Sequence, residues 1–246
     1  MQTLAGRKAF ITGASAGIGA AIARSLSSAG AQVVLAARRT DRIQALADQL
    51  EGAQAVTLDV RDADAVRAAI EAAQPDLVIA GAGLAIGTES LQDGDPADWS
   101  VVLDTNVKGV LHVLRAALPG LIQARGGDVV LLGSVAGRQV YPGGNVYNAS
   151  KFAVRALYEA MRLDAGGHGI RFTTVDPGMV ESEFSLVRMR GDQGQAESVY
   201  KGMQALKPED VAEAVLFAVS RPAHVNIGEI VLWPTDQSST RDVHRT

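Results

Sequence analysis

Residues 9–19 read Ala9-Phe10-Ile11-Thr12-Gly13-Ala14-Ser15-Ala16-Gly17-Ile18-Gly19, a short apolar run that turns through glycines straight into a helical stretch. Backbone without Cβ atoms can approach a pyrophosphate. A helix N-terminus adds unpaired N–H groups and the positive end of a dipole. The spacing is G-x-x-x-G-x-G rather than the G-x-G-x-x-G of the common dinucleotide fingerprint. Its weight comes from its position, at the first strand-to-helix junction of a chain that alternates the two from end to end.

Working outward, β-rich apolar runs fall at residues 9–12, 32–37, 53–58, 77–80, 128–133, 171–175 and 227–233. They are near-continuous rather than alternating, as in parallel sheets covered on both faces. Helical stretches lie between them at 18–28, 41–50, 63–73, 97–123, 146–164 and 208–220. Thr40 or Asp41 is placed to cap the second helix and Asp62 the third, and Pro208 suits a first helical turn. The pattern predicts an α/β fold, a doubly wound, seven-stranded parallel sheet in a single domain over residues 1–246. Two stretches, 84–95 and 178–206, resist regular assignment. Both follow strand carboxyl ends, where such sheets bind ligands, and the second has the length of a lid.

Composition narrows the function. A net charge of −4 and 4% aromatic content argue against nucleic acid as a partner. The absence of cysteine excludes disulfides, thiolate metal sites and cysteine nucleophiles, and no metal site is read. Arg7 and Lys8 before an apolar stretch loosely resemble a signal peptide, but Thr12, Ser15 and the glycines spoil it. No run is long enough for a membrane span, so a cytoplasmic location is expected.

The second strand ends on Arg38-Arg39, where this architecture commonly places an acid for the adenosine ribose. Guanidinium groups pair with a 2′-phosphate, which points to NADP(H) as cofactor. Asp59, followed by Val60, ends the third strand and is placed to accept from the adenine amino group. Gly13-Ala14-Ser15-Ala16-Gly17 also matches the G-x-S-x-G nucleophile elbow. No earlier loop exists to supply oxyanion donors, however, and His112, His168, His224 and His244 offer only arbitrary triad partners.

Tyr147-Asn148-Ala149-Ser150-Lys151 puts a phenol and an ammonium one helical turn apart on one face. With 4 Tyr in the chain, such a pairing with lysine arises by chance at a probability of about 0.08. A free tyrosine titrates too high to act as a base at neutral pH, and an adjacent cation favours the phenolate. Ser134 ends the fifth strand, where its hydroxyl can donate to a substrate oxygen. Asn106, within a long helical stretch, reads as an ordinary polar helix residue.

Taken together and in order, Thr12 to Gly19, Asn106, Ser134, Tyr147 with Lys151, and Asp176-Pro177-Gly178-Met179-Val180 resemble the short-chain dehydrogenase/reductase family over essentially the whole chain. The resemblance implies a Rossmann fold and a homotetramer acting on a small-molecule substrate. The α-helices of residues 97–123 and 146–164 would form one interface and the last strand another. It further implies Tyr147 as catalytic acid/base, Lys151 on the nicotinamide ribose, Ser134 polarising the substrate oxygen and Asn106 in a proton relay. Gly13, Ser15, Gly17, Ile18, Gly19, Ala82, Gly83, Pro177, Gly178, Val180 and Ser182 would border the cofactor, with Gly178 admitting the nicotinamide. Two departures stand out. Ala80-Gly81 replaces the family's usual Asn-Asn, and Ser182 replaces a threonine.

Within that family, Tyr141 to Tyr147 (Y-P-G-G-N-V-Y), Glu183-Phe184-Ser185 and Pro222-Ala223-His224-Val225-Asn226 resemble the NADP-dependent 3-hydroxy acid dehydrogenases. That branch oxidises serine, L-allo-threonine and related acids. The segment Trp233-Pro234-Thr235-Asp236-Gln237 resembles the clavulanate dehydrogenases, so a reductase of bulkier ketones or aldehydes is the alternative enzyme. A non-catalytic NADP(H) sensor on the same fold is a third reading. A carboxylate substrate would want a cation near the nicotinamide, and Arg188 is the candidate.

Overall fold

The computed structural model describes residues 3–246. Strands β1 (Lys8–Thr12), β2 (Gln32–Ala37), β3 (Gln54–Thr57), β4 (Leu77–Ala80), β5 (Gly127–Leu132), β6 (Ile170–Pro177) and β7 (Glu229–Leu232) form one sheet. Their order is β3-β2-β1-β4-β5-β6-β7 and every pairing is parallel. The chain winds outward from β1 to β3, returns to β4 on the other side, and winds out to β7. The order therefore reverses between β1 and β4, and a crevice opens there at the carboxyl ends.

Alternation along each strand assigns residues to the two faces. Ile11 and Ile79 enter one apolar cluster with Ile22 and Leu26 of α1 (Gly17–Ser28) and Val215 of α9 (Pro208–Val219). Phe10 and Val78 enter the other, with Ile70 of α3 (Ala63–Ala73), Leu114 of α5 (Gly109–Ala124) and Tyr158 of α6 (Asn145–Asp164). Both faces are covered, which explains apolar runs without polar alternation.

Three local features depart from the sequence reading. Helix α2 (Thr40–Ala47) has Arg39 as its N-cap, and neither Thr40 nor Asp41 caps it. Asp62 does cap α3, accepting from the N–H groups of Asp64 and Ala65. The helix expected over 97–123 begins as α4 (Pro96–Leu103), widens into a π turn at Asp104–Lys108, and resumes as α5. The long segment after β6 contains α7 (Phe184–Arg188) and α8 (Gln193–Ser198). Its base is closed where Val180 bridges Leu206.

At the amino edge of the sheet, buried Asp128 takes Arg171 Nε at 2.8 Å and Arg7 Nη2 at 2.8 Å. Arg7 Nε also reaches Asp76 at 2.6 Å, and the N–H of Lys8 donates to the same carboxylate at 2.8 Å. Arg171 Nη2 donates to Val219 O at 2.7 Å. No described helix is long and apolar enough to cross a membrane.

Candidate active site

The carboxyl edge opens on a cavity of about 720 Å³, and its first wall is the glycine loop. Helix α1 starts from Ala16 in extended conformation without a side-chain cap, so its first-turn donors are left to the loop. Gly13 and Gly17 have φ of +75° and +52°, the left-handed region that favours glycine. A Cβ on Gly19 would sit 2.3 Å from Gly13 O, so loop and helix meet only because position 19 has none. The loop is tied to the neighbouring strand by Thr12. Its Oγ1 donates to Ile79 O at 3.3 Å and accepts from Gly81 N at 3.0 Å. A Cβ at Gly81 would lie 2.8 Å from Thr12 O, so the close approach of β1 and β4 needs glycine there. This uncapped, glycine-rich cradle fits a dinucleotide pyrophosphate.

At the far end of the cavity the two arginines differ. Arg38 is exposed and its side chain has no hydrogen-bond partner among the described residues. Arg39, expected beside it on a 2′-phosphate, is committed to protein: Nε and Nη2 donate to Ser15 Oγ at 3.1 and 2.9 Å. Its Nη1 meets Glu183 at 2.8 Å. Glu183 also pairs with Arg42, and these two arginines hold its carboxyl below the usual range, Arg42 foremost. Asp59, the expected adenine partner, has both carboxylate oxygens bonded to the Arg61 guanidinium, which holds it low.

At the other end of the cavity, α6 projects Tyr147 and Lys151 from successive turns. Lys151 Nζ donates to Leu132 O at 2.8 Å and stands 5.9 Å from the Tyr147 ring centroid. Burial pushes this ammonium down to about 8, against the pull of Asp176. The expected depression of Tyr147 is absent. Burial, then Tyr141, push its phenol above the ordinary value, while Ser134 and Arg188 pull the other way. Dehydration of the ring outweighs the neighbouring charges, leaving Tyr147 a protonated donor at neutral pH. Ser134 Oγ accepts from Ala136 N at 3.1 Å and lies 3.4 Å from Pro177 O, close enough to donate there.

All but one of the expected catalytic, cofactor and substrate residues line this cavity. The exception is Asn106, buried behind it in the π turn. Its Oδ1 accepts from Leu84 N at 2.9 Å, and its Nδ2 donates to Leu84 O at 2.8 Å and Ser150 Oγ at 3.0 Å. Asn106 thus fastens the loop after β4 to α6 and is no ordinary exposed helix residue. Gly178, expected to admit the nicotinamide, lines the cavity and is also packed against Gln237. A Cβ there would lie 2.5 Å from Gln237 Oε1, which accepts from Met179 N at 2.9 Å.

The short chain dehydrogenase family model matches residues 7–191, three-quarters of the chain. The chain belongs to the short-chain dehydrogenase family. A sulfoacetaldehyde reductase from Chromohalobacter salexigens is 41% identical over 239 residues, covering 93% of this chain and 94% of the relative. The NADP-dependent 3-hydroxy acid dehydrogenase YdfG of Escherichia coli K12 is 41% identical over 248 residues, covering 96% and 98%. Among solved structures, the closed form of a serine dehydrogenase complexed with NADP+ has a TM-score of 0.92 and 39% identity. That match covers 97% of this chain and 100% of the other.

In this dehydrogenase the surroundings of Tyr147 hold residues that sequence reasoning did not assign. Phe184 packs against Tyr147 with ring centroids 5.4 Å apart. Arg188 stacks 5.2 Å from the Tyr141 ring and 6.0 Å from that of Tyr147. It donates to Tyr141 Oη at 2.7 Å, Gly143 O at 3.0 Å and Gly87 O at 3.2 Å. Tyr141 and Phe184 both fall within segments singled out for their resemblance. No spacing rule links either of them to Tyr147, because the long segment after β6 brings Phe184 and Arg188 back over α6.

Proposed function

We propose that this dehydrogenase uses NADP(H) to interconvert a small anionic alcohol, foremost a 3-hydroxy acid, with its carbonyl compound. Tyr147 serves as the acid/base. The observation that carries this reading is Arg188, a guanidinium held 6.0 Å from the ring of the proposed catalytic tyrosine. Three of its five N–H groups are spent on Gly87, Tyr141 and Gly143, and the others are left for an anion. A carboxylate and a sulfonate both suit such a donor, in keeping with the relatives' hydroxy acids and sulfoacetaldehyde.

NADP(H), when bound, supplies the hydride in reduction and takes it up in oxidation. The glycine loop and α1 N-terminus would hold its pyrophosphate, Arg38 its 2′-phosphate and Lys151 its nicotinamide ribose. In reduction Tyr147 Oη gives its proton to the substrate oxygen as the carbonyl becomes an alcohol, and Ser134 Oγ steadies that oxygen. In oxidation Tyr147 must first release its own proton to solvent, and its phenolate oxygen then takes the hydroxyl proton of the alcohol. Excluding Arg188, the site has no described guanidinium this near Tyr147 to fix the distal end of an acid.

The test is a panel of L-serine, L-allo-threonine, 3-hydroxyisobutyrate, 3-hydroxypropionate, isethionate and uncharged alcohols, with NADP+ and with NAD+. Acidic substrates with NADP+ are expected to lead. Arg188→Ala should raise KM for the acids by roughly tenfold or more while leaving uncharged alcohols little changed. An unchanged KM for the acids would refute the role of Arg188.

The same reading includes a cytoplasmic homotetramer. Leu103, Leu111, Phe152 and Leu163 are exposed on α4, α5 and α6, and Phe217 and Val231 on α9 and β7. Apolar surface in these two places supports the two expected interfaces. Sedimentation equilibrium should return four times the chain mass; a monomer would contradict it.

A further inference from the structure

At the carboxyl end of β5, three consecutive residues face the chemistry differently. Leu132 O anchors Lys151, and Ser134 presents its hydroxyl to the cavity. Gly133 between them has no room for a side chain, because a Cβ would lie 1.8 Å from Asp176 Oδ1. Strand β6 places that carboxylate there by register: Leu132 pairs with Val175, and Gly133 N donates to Val175 O at 2.9 Å.

Asp176 is only 3% exposed, and each oxygen is held. Thr174 Oγ1 donates to Oδ1 at 2.7 Å, and Arg138 Nε donates to Oδ2 at 2.7 Å. Arg138 also pairs with Glu229 of β7, so two acids share one guanidinium behind the catalytic lysine. Burying a carboxylate is costly unless it is paired, and these contacts account for its tolerance. They do not account for why a net negative cluster stands at this spot.

The charges around Lys151 supply the reason. Tyr147 and Tyr141, with Arg188 beyond them, lie on the substrate side. Arg138 and Glu229 stand behind Asp176. Further along α6, Tyr158 accepts from Arg162 and feels both acids. Among the described groups, Asp176 is the one whose charge opposes the desolvation of Lys151.

We propose that Asp176 is a positioning residue of the reaction, holding the end of β5 and supplying the buried counter-charge for the Lys151 ammonium. It touches neither substrate nor cofactor and acts through Lys151. The proposal rests on the reading of Lys151 as the ribose anchor. Arg138 tempers the effect: removing the Asp176 charge leaves Arg138 balanced by Glu229 alone, so the net negative charge behind Lys151 is lost, and removing Arg138 leaves two acids unopposed. The two changes therefore act in opposite directions.

The experiment compares the full-length protein with Asp176→Asn and Arg138→Gln. The midpoint of Lys151 is read from the pH dependence of amine acylation at residue 151, by peptide mass spectrometry. The pH profile of carbonyl reduction is measured alongside. The wild-type midpoint is expected near about 8. It should fall by about one unit in Asp176→Asn and rise in Arg138→Gln, with the alkaline limb of kcat following each. Lower kcat in both variants with unmoved midpoints would overturn the proposal, leaving Asp176 a structural residue. Acylation needs no turnover, so a failure of the dehydrogenase reading would show as inactive wild type with its Lys151 midpoints still measurable. If Asp176→Asn does not fold, an unmoved midpoint in Arg138→Gln is sufficient to overturn it.

Discussion

The two edges of the sheet use the same residue types to opposite ends. At the amino edge, Arg7, Arg171, Asp76 and Asp128 close on one another and on backbone carbonyls. At the carboxyl edge, Arg38 is unpaired among the described residues, α1 starts without a side-chain cap, and the glycine loop keeps its walls bare. A closed set of charges serves the fold, because removing one member strands another in low dielectric. An open set serves a ligand, because the missing partner arrives from solution. The same rule separates Arg38 from Arg39, adjacent in sequence, of which only the second is already committed to Ser15 and Glu183.

The comparison can be broken first at the amino edge. Asp128→Ala leaves the buried Arg171 without its carboxylate and should cost roughly 3–5 kcal/mol of stability. Urea denaturation would measure this, while kcat of the folded fraction should stay within about twofold. A large loss of kcat with intact stability would mean that the amino edge shapes the site directly. Next, Arg38→Asp should weaken NADPH binding by roughly tenfold to a hundredfold and NADH binding far less. Equal losses would remove Arg38 from the 2′-phosphate. The smallest effect is expected from Glu183→Gln, which loosens a half-exposed bridge from the glycine loop to the segment after β6. NADP+ release, followed by stopped-flow fluorescence, should quicken by about two- to threefold and lose its salt dependence. An unchanged rate would mean the bridge does not restrain that segment.

Much of the fold was legible because apolar runs, glycine turns and caps such as Asp62 each act locally. The π turn at Asp104–Lys108 was not, since one extra residue shifts the apolar pattern by a single position, within the ordinary scatter of such patterns. The separation of Arg38 from Arg39 was equally hidden, because Glu183 meets Arg39 across 144 residues of chain. The packing of Gly178 against Gln237, distant in the chain, was likewise invisible in the sequence. For Tyr147, the one-turn spacing announced the lysine but not the depth of burial, which raises the phenol. Residue identity thus picked out the candidate groups, and tertiary contacts determine their burial and their neighbours.

The most direct test follows nicotinamide absorbance when NADP+ and a 3-hydroxy acid are added to wild-type protein and to Tyr147→Phe. The wild type should turn over. The variant should lose roughly 10²–10⁴-fold in kcat while binding NADPH as tightly and melting at the same temperature. Turnover retained by Tyr147→Phe would contradict the assignment of Tyr147 as the proton donor and acceptor at this edge of the sheet.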